Sequence, residues 1–410
     1  MKKILCVISA LSLFCVPVFA DGSATQPQSS IVTEYYTDDY LSDFSADDTL
    51  AAATSPGEME LDAKSAILMD QMTGKVLYEL NADDRLPPAS VTKVMSLLLI
   101  AEAIDSGKIK LDDTVTCSEH AMSKGGSQIW LEVGETMTVD QLLKATAVGS
   151  ANDATTALAE HVAGSEEGFV ARMNERAAEL GMKNTNFVNC TGLDADNHYT
   201  SARDIAIMSS ELIKHEFIQD YTTIWMDTLR GGQTQLVNTN KLVRFYQGAT
   251  GLKTGTTDKA GHCLSATATR DGLNLVAVVL GSSTGKSRFA SAKKLLDYGF
   301  ANFESKIIAV ADDLLHDVNV TGGTVKKIGV EPNGTLGVLI NKGDAENIKT
   351  EIKLPDSVEA PITAGDTVGH AVISLNGDEI GQIDLIATQT AEKMTYWRGV
   401  VRLAMALFKA

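Results

Sequence analysis

Regular alternation of apolar and polar positions starts near Lys64. Two short apolar runs, Ser65 to Asp70 and Lys75 to Leu80, flank Gln71-Met72-Thr73-Gly74, and glycine at the turn predicts a hairpin. Pro87 and Pro88 then stop extended structure. From Ser90 the run SVTKVMSLLLIAEAIDSG reads as a buried helix ending at Gly107. Gln141 to Ala163 and Glu166 to Leu180 carry helical patterns as well. A second hairpin is expected from His262 to Thr269 and Leu273 to Leu280, turned by Arg270-Asp271-Gly272, and Ser287 to Phe300 follows as an amphipathic helix. Strands at both ends with helices between them predict one antiparallel sheet assembled from distant segments, an α+β arrangement.

From about Ile307 to Ile386 the pattern changes to short β-like runs. Thr321-Gly322-Gly323, Pro332-Asn333-Gly334 and Asn376-Gly377 punctuate them, which predicts a separate small all-β domain. The tail, Thr388 to Ala410, differs again. On a helical wheel Arg398, Arg402 and Lys409 form one narrow stripe, and Met394, Trp397, Val401 and Phe408 share the adjoining face. Such a helix carries too many charges to span a bilayer but suits its interface; docking on the protein itself is the other reading. The basic stripe in an acidic chain favours the membrane surface.

Composition narrows the field. The 410 residues are 44% apolar and 21% charged, which is globular, and their length suits two folded domains with accessory segments. A formal net charge of −18 argues against a general nucleic-acid binder. No internal run is apolar enough for a multi-span membrane protein. The first twenty residues read as an export signal: Lys2 and Lys3, an apolar stretch from Ile4 to Phe19, and Val18-Phe19-Ala20 at the cleavage position. A buried N-terminal helix is the alternative, disfavoured by the acidic, low-complexity sequence that follows at once. Asp21 to Ala63 holds no Lys or Arg and reads as a solvated spacer. Beyond the signal only Cys117, Cys190 and Cys263 remain, too few for a disulfide scaffold, although one bridge stays open.

Candidate chemistry lies in three short motifs, in order Ser90-Val91-Thr92-Lys93, Ser150-Ala151-Asn152 and Lys253-Thr254-Gly255. Singly each is weak, since Ser291 to Lys294 and Ser374-Leu375-Asn376 match two of the patterns elsewhere. Context separates them. Ser90 opens a buried helix after two prolines, with Lys93 one turn on and on the same side. Ser150 sits at the junction of a helix and a turn containing Gly149, and Lys253-Thr254-Gly255 shortly precedes a strand whose edge could pair with a peptide.

A serine hydroxyl is a poor nucleophile until a base takes its proton, and lysine serves only when uncharged. Its reference pKa is about 10.4, and lowering it by roughly three units takes about 4 kcal/mol of differential destabilisation of the ammonium. Desolvation in the helix core and a second cation, Lys253, are the available causes. Ser150 is then placed to relay protons, Asn152 to hold Lys93 and a substrate amide, and Lys253 and Thr254 to receive an anionic terminus. The N–H groups of Ser90 and of Thr256, just after Gly255, are candidates for an oxyanion site.

The three motifs, together with LPPASVTKVM, GGSQIWLEVGETMTVDQLL, SANDATTALAEHVAGS, NCTGLDADNHYTSARD and KTGTTDKAGHC, resemble the serine D-alanyl-D-alanine carboxypeptidases, the low-molecular-mass penicillin-binding proteins. The resemblance runs from about Leu61 to Phe303, and the β domain and tail match the family's layout. It implies a serine DD-peptidase/β-lactamase-like antiparallel sheet flanked by helices with a helical lobe, the site between them. It also implies a domain order of signal peptide (1–20), acidic linker (21–60), catalytic domain (61–303), β-rich domain (304–386) and membrane-anchoring helix (387–410). Ser90 would be the acylated nucleophile, Lys93 its base, and Ser150, Asn152 and Lys253 would complete the site. The implied partners are peptidoglycan stem peptides, β-lactams as covalent inhibitors, and the extracytoplasmic membrane surface; no metal or organic cofactor is implied.

Rival readings are weaker. A β-lactamase needs a glutamate that positions water, and no E-x-x-L-N run lies between Asn152 and Lys253. The run Gly281 to Ser287 is one residue short of a phosphate loop and reads as a turn and helix cap. The seven histidines show no zinc-binding spacing. An inert binding protein would require a damaged site, and every expected group is present.

Overall fold

The computed structural model describes residues 59–400. The expected export signal, nearly all of the acidic linker and the last ten residues of the tail lie outside the described residues.

The hairpin signatures fold as read. Strands β1 (Ser65–Asp70) and β2 (Val76–Leu80) pair antiparallel. The chain then passes through a 3-10 turn at Ala89–Thr92 into helix α1 (Lys93–Asp105), so Ser90 stands one turn ahead of the α-helix rather than within it. A small pair, β3 (Thr114–Thr116) with β4 (Thr136–Thr138), brackets the short helix α2 (Glu119–Met122). The helical run expected over Gln141–Ala163 is broken into α3 (Val139–Ala147) and α4 (Asn152–Ala163), because residues 148–151 leave helical geometry at Ser150, whose φ is +61°. Helices α5 (Glu166–Glu179) and α6 (Ala202–Ile213) each start at a serine, Ser165 or Ser201, whose hydroxyl accepts a hydrogen bond from the first turn. Helix α7 (Gln219–Thr222), the ribbon β5 (Met226–Leu229) with β6 (Thr234–Val237), and α8 (Leu242–Phe245) lead to the last strands.

Those strands are β7 (Ala249–Thr257), β8 (Gly261–Arg270) and β9 (Leu273–Ser282). They join the N-terminal hairpin in one five-stranded antiparallel sheet of order β2-β1-β9-β8-β7, with Ser65 opposite Leu280. All six residues of β1 are buried, so the sheet is covered on both faces. Alternation assigns the faces: Ile67 and Met69 join the large core of the helical lobe, whereas Leu68 meets Gly299 of helix α9 (Gly285–Asn302). The start of α9 settles the phosphate-loop question, since Thr284 and Ser287 form a capping box there. The expected α+β sheet with a helical lobe is present. The Lys253-Thr254-Gly255 motif does precede the strand expected from His262, now β8, but it lies within a further strand, β7, and the free edge of the sheet belongs to β7 rather than to β8.

Beyond α9 the chain is β-rich, as expected. It forms β10 (Phe303–Ile308), β11 (Val318–Thr321), β12 (Lys327–Ile328), β13 (Val330–Pro332) and β14 (Leu336–Asn341). The series ends with β15 (Ile348–Lys353), β16 (Ser357–Glu359), β17 (Thr367–Leu375) and β18 (Asp378–Ala387). A four-stranded sheet, β13-β18-β17-β15, and a three-stranded one, β12-β11-β16, enclose two small cores.

The tail differs from the expected helix over 387–410. Ala387 ends β18, Ala391 is fully buried in the β domain and bridges Ile362, and Lys393 bridges Gly323. Helical geometry begins only at 396, and Arg402, Phe408 and Lys409 fall outside the described residues. No helix among the described residues is long and apolar enough to cross a membrane.

Candidate active site

Pro87 and Pro88 deliver the chain into the tight turn that carries Ser90. Ala89, almost fully buried, adopts a left-handed φ of +49° there, a conformation that costs an alanine roughly 1–2 kcal/mol and is held by surrounding structure. The edge strand β7 presses on this turn at Gly255, where a Cβ would lie 2.9 Å from the Ser90 nitrogen. Only glycine lets the strand backbone approach the Ser90 amide so closely. Ser90 itself is partly exposed, open to the cleft.

Lys93 opens α1 and is completely buried. Its Nζ lies 3.0 Å from Ser90 Oγ, 2.6 Å from Asn152 Oδ1 and 2.8 Å from the Thr191 carbonyl oxygen. Two of these partners can only accept. An uncharged amine has two N–H groups and one lone pair, so it satisfies both oxygens and still accepts the Ser90 proton. Burial drives the Lys93 amine down to about 7, against the opposing influence of Cys190 and Asp153. Desolvation, one of the two expected causes, therefore accounts for the shift. Lys253 does not figure in it; the coupling shows instead at Lys253, which burial, Lys93 and Arg288 push well below the ordinary lysine value.

Asn152, the first residue of α4, is fixed from both ends of its amide. Its Oδ1 faces Lys93 and its Nδ2 donates to the Gly125 carbonyl at 2.6 Å, while its backbone N–H donates to Ser127 O at 2.7 Å. The neighbouring buried carboxylate of Asp153 accepts from the N–H groups of Ile129 and Leu131. Ser150 is buried in the same connection, but the Lys93 amine donates to Asn152 Oδ1 and the Thr191 carbonyl and pairs with the Ser90 hydroxyl instead.

On the opposite wall Lys253 is fully buried with its Nζ donating to Thr254 O at 3.1 Å, and the Thr254 hydroxyl donates to Thr239 Oγ1 at 2.7 Å. Thr256 Oγ1 faces His262 and receives Arg288 Nη1 at 3.0 Å. The structure thus brings Ser90, Lys93 and Asn152 into contact and sets Gly255 of β7 against the Ser90 turn, with Lys253, Thr254 and Thr256 beside it on that strand, while Ser150 makes no side-chain hydrogen bond with the others. Two contributors escaped the sequence reading. Thr191 acts through its backbone carbonyl, which no side-chain motif reports. Arg288, from the first turn of α9, donates to the Gly255 carbonyl and Thr256, and burial lowers its guanidinium to about 10. Its only sequence signal is a basic residue just inside a helix that follows the sheet.

Cys117, Cys190 and Cys263 are buried and unbridged, which closes the disulfide question for them. Among the described residues no cluster of His, Cys, Asp and Glu is arranged to hold a metal ion.

A hydroxyl set on a desolvated lysine, beside the edge strand of a sheet, is the arrangement of a serine hydrolase of the S-x-x-K class. Residues 51–284 match the D-alanyl-D-alanine carboxypeptidase family (Peptidase S11), and residues 303–393 match the C-terminal domain of penicillin-binding protein 5. The chain is 45% identical over 340 residues to D-alanyl-D-alanine carboxypeptidase DacF of Bacillus subtilis (strain 168), covering 82% of this chain and 87% of that one. Among solved structures it resembles penicillin-binding protein 5 of Haemophilus influenzae, with TM-score 0.73 and 33% identity, covering 82% of this chain and 99% of that one. It also resembles penicillin-binding protein D2 of Listeria monocytogenes in an ampicillin-bound form, with TM-score 0.54 and 34% identity over 59% of this chain and 99% of that one. The chain belongs to the D-alanyl-D-alanine carboxypeptidase family and is a serine hydrolase of the penicillin-binding protein type.

Proposed function

We propose that the protein removes the terminal D-alanine from peptidoglycan stem pentapeptides through an ester on Ser90. Ser90 Oγ attacks the carbonyl before the last D-alanine and passes its proton to the Lys93 amine. The tetrahedral oxyanion is met by the N–H groups of Ser90 and Thr256, and the substrate backbone pairs along β7. Lys253, Thr254 and Arg288 receive the terminal carboxylate: Arg288 is a buried cation whose hydrogen-bond partners are neutral oxygens, so an anion completes it. Lys93, with Ser150 lining the route, returns a proton to the departing amine. Water then cleaves the ester by the same path in reverse.

The observation that carries this reading is the fully buried Lys93 amine, whose Nζ lies 3.0 Å from Ser90 Oγ and within hydrogen-bond distance of Asn152 Oδ1 and the Thr191 carbonyl. Free D-alanine released from a peptide ending in D-Ala-D-Ala tests it. Release by the intact chain and none after Ser90→Ala is expected; release that survives the substitution refutes the assignment.

Penicillins would acylate the same serine. The export signal read in residues 1–20 supports action on the extracytoplasmic side, and the basic, aromatic tail supports attachment to the membrane surface there.

A further inference from the structure

Behind the active-site wall sits a buried carboxylate that touches neither Ser90 nor Lys93. Glu166, the first residue of α5, is 7% exposed. Its Oε2 accepts from Lys124 Nζ at 2.5 Å and faces His120 Nε2 at 2.7 Å. Its Oε1 accepts from the Cys190 N–H at 3.1 Å and faces the Cys190 thiol at 3.2 Å. Burial alone would raise the Glu166 carboxyl, but the donors Lys124, Cys190 and His120 outweigh it and hold it at about 2.

Both chain segments held by this carboxylate end at Lys93. Lys124 immediately precedes Gly125, whose carbonyl accepts from Asn152 Nδ2, and Asn152 Oδ1 faces Lys93. Cys190 immediately precedes Thr191, whose carbonyl is the other acceptor of the Lys93 amine. The Cys190 carbonyl also accepts from Ser96, one turn beyond Lys93 on α1. We propose that Glu166 is a positioning residue: by bridging the 120–125 and 190–191 segments it sets the two oxygens that hold the Lys93 amine against Ser90.

The chemistry of the site asks for a carboxylate in particular. Glu166 is engaged at both oxygens, by the Lys124 ammonium and the His120 ring nitrogen on one and by an N–H and a thiol on the other. A carboxamide must turn its NH2 group toward one of these donor pairs, so Glu166→Gln breaks one arm while keeping the shape. The charged and titratable groups facing Lys93 are Cys190, Asp153 and Lys253, and those facing Glu166 are Lys124, His120, Cys190 and Glu167.

The proposal rests on Lys93 being the base, and the experiment separates the two ideas. The second-order rate of acylation by a fluorescent penicillin is measured across pH on the full chain, wild type and Glu166→Gln, alongside thermal unfolding. Loosened anchors admit water to Lys93, so the acid limb of the variant should move up by about one pH unit and the rate near neutrality fall about fivefold. The two profiles should converge at high pH, and Glu166→Asp should recover part of the shift. Removing the charge without moving the anchors would shift the limb down instead, because an anion raises the pKa of a nearby lysine. A downward shift, an unchanged profile, or a uniform loss at every pH that follows a lowered melting temperature overturns the proposal. Should Glu166→Gln fail to fold, Lys124→Met cuts only the 120–125 arm and must move the limb in the same upward direction; an unmoved limb again overturns it. A wild-type profile without an acid limb would count against Lys93 as base, a separate failure.

Discussion

Gly192 lies against the carbonyl of Ala89 so closely that a Cβ at position 192 would stand 1.8 Å from that oxygen. The residue before the nucleophile and the residue after the Thr191 anchor therefore share one van der Waals contact made of backbone alone. Gly255 approaches the same turn from the other side. The turn carrying Ser90 is clamped between two glycines, and its orientation is set by main chain rather than by side-chain packing.

Gly192→Ala should therefore damage activity more than stability. Gly192 has φ +85°, where an alanine pays roughly 1–2 kcal/mol, and the clash with Ala89 must be relieved by moving the Ser90 turn. The expected destabilisation is about 2–4 kcal/mol by chemical denaturation. A displacement near 1 Å at the nucleophile predicts an acylation rate roughly 100-fold lower. Acylation at the wild-type rate would show that the turn is not held by this contact.

Lys93 should reveal itself in opposite effects on activity and stability. Its amine is down to about 7 in the folded chain from an ordinary 10.5. Between those values the unfolded chain binds one more proton, so the residue destabilises the fold at neutrality and this cost fades as pH rises toward the unfolded value. The shift is worth roughly 4 kcal/mol, while losing the amine orphans Asn152 Oδ1 and Thr191 O at about 1–3 kcal/mol in all. Lys93→Met should then abolish acylation and leave the protein about 1–3 kcal/mol more stable at neutral pH. In the wild type the acylation rate should climb through about pH 7 as the amine loses its proton. A rate flat across that range would remove Lys93 from the role of base.

The two hairpins and the three motifs were legible because their signals are local. Asp271-Gly272 needs a tight turn whatever surrounds it, and Ser90 and Lys93 lie one helical turn apart. Non-local features were not. The break at 148–151 was half legible: Gly149 signals the turn beside Ser150, but Val148 and Ala151 continue an apolar helical pattern, and the left-handed φ of Ser150 is announced by nothing in its own side chain. The strand β7 that carries Lys253 was not read from the sequence, and its Gly255 serves the close approach of β7 to Ser90. Thr191 contributes a carbonyl, and Arg288 is recruited across the sheet from α9.

Penicillin should leave a long-lived adduct. In the proposed mechanism acylation and hydrolysis of the ester use the same Lys93, and no E-x-x-L-N run lies between Asn152 and Lys253 to hold a dedicated hydrolytic water. Intact mass spectrometry after brief exposure should show one penicilloyl group per chain, persisting after the free drug is removed. Ser90→Ala should show none. Rapid return to the unmodified mass, with penicillin consumed in many turnovers, would make the protein a β-lactamase in practice.

Where the tail is cut decides what its removal reports. Residues 388–394 belong to the β domain: Thr388 donates its N–H to Gly329 O, Ala391 is fully buried among Val318, Ile328 and Ala387, and the Met394 N–H reaches Gly322 O. Tyr396 and Trp397, by contrast, are 80% and 74% exposed where helical geometry begins. Truncation after Thr395 should leave the melting temperature within about 1 °C and carboxypeptidase activity unchanged, because it deletes no buried contact among the described residues. If the aromatic and basic tail binds the membrane interface, that truncation should move the protein from the membrane fraction to the soluble one. Truncation after Ala387 should do the same but also destabilise the β domain by roughly 1–3 kcal/mol, since it strips an edge from its core. Retention of the Thr395-truncated chain on membranes, with its fold intact, would put the attachment elsewhere in the molecule.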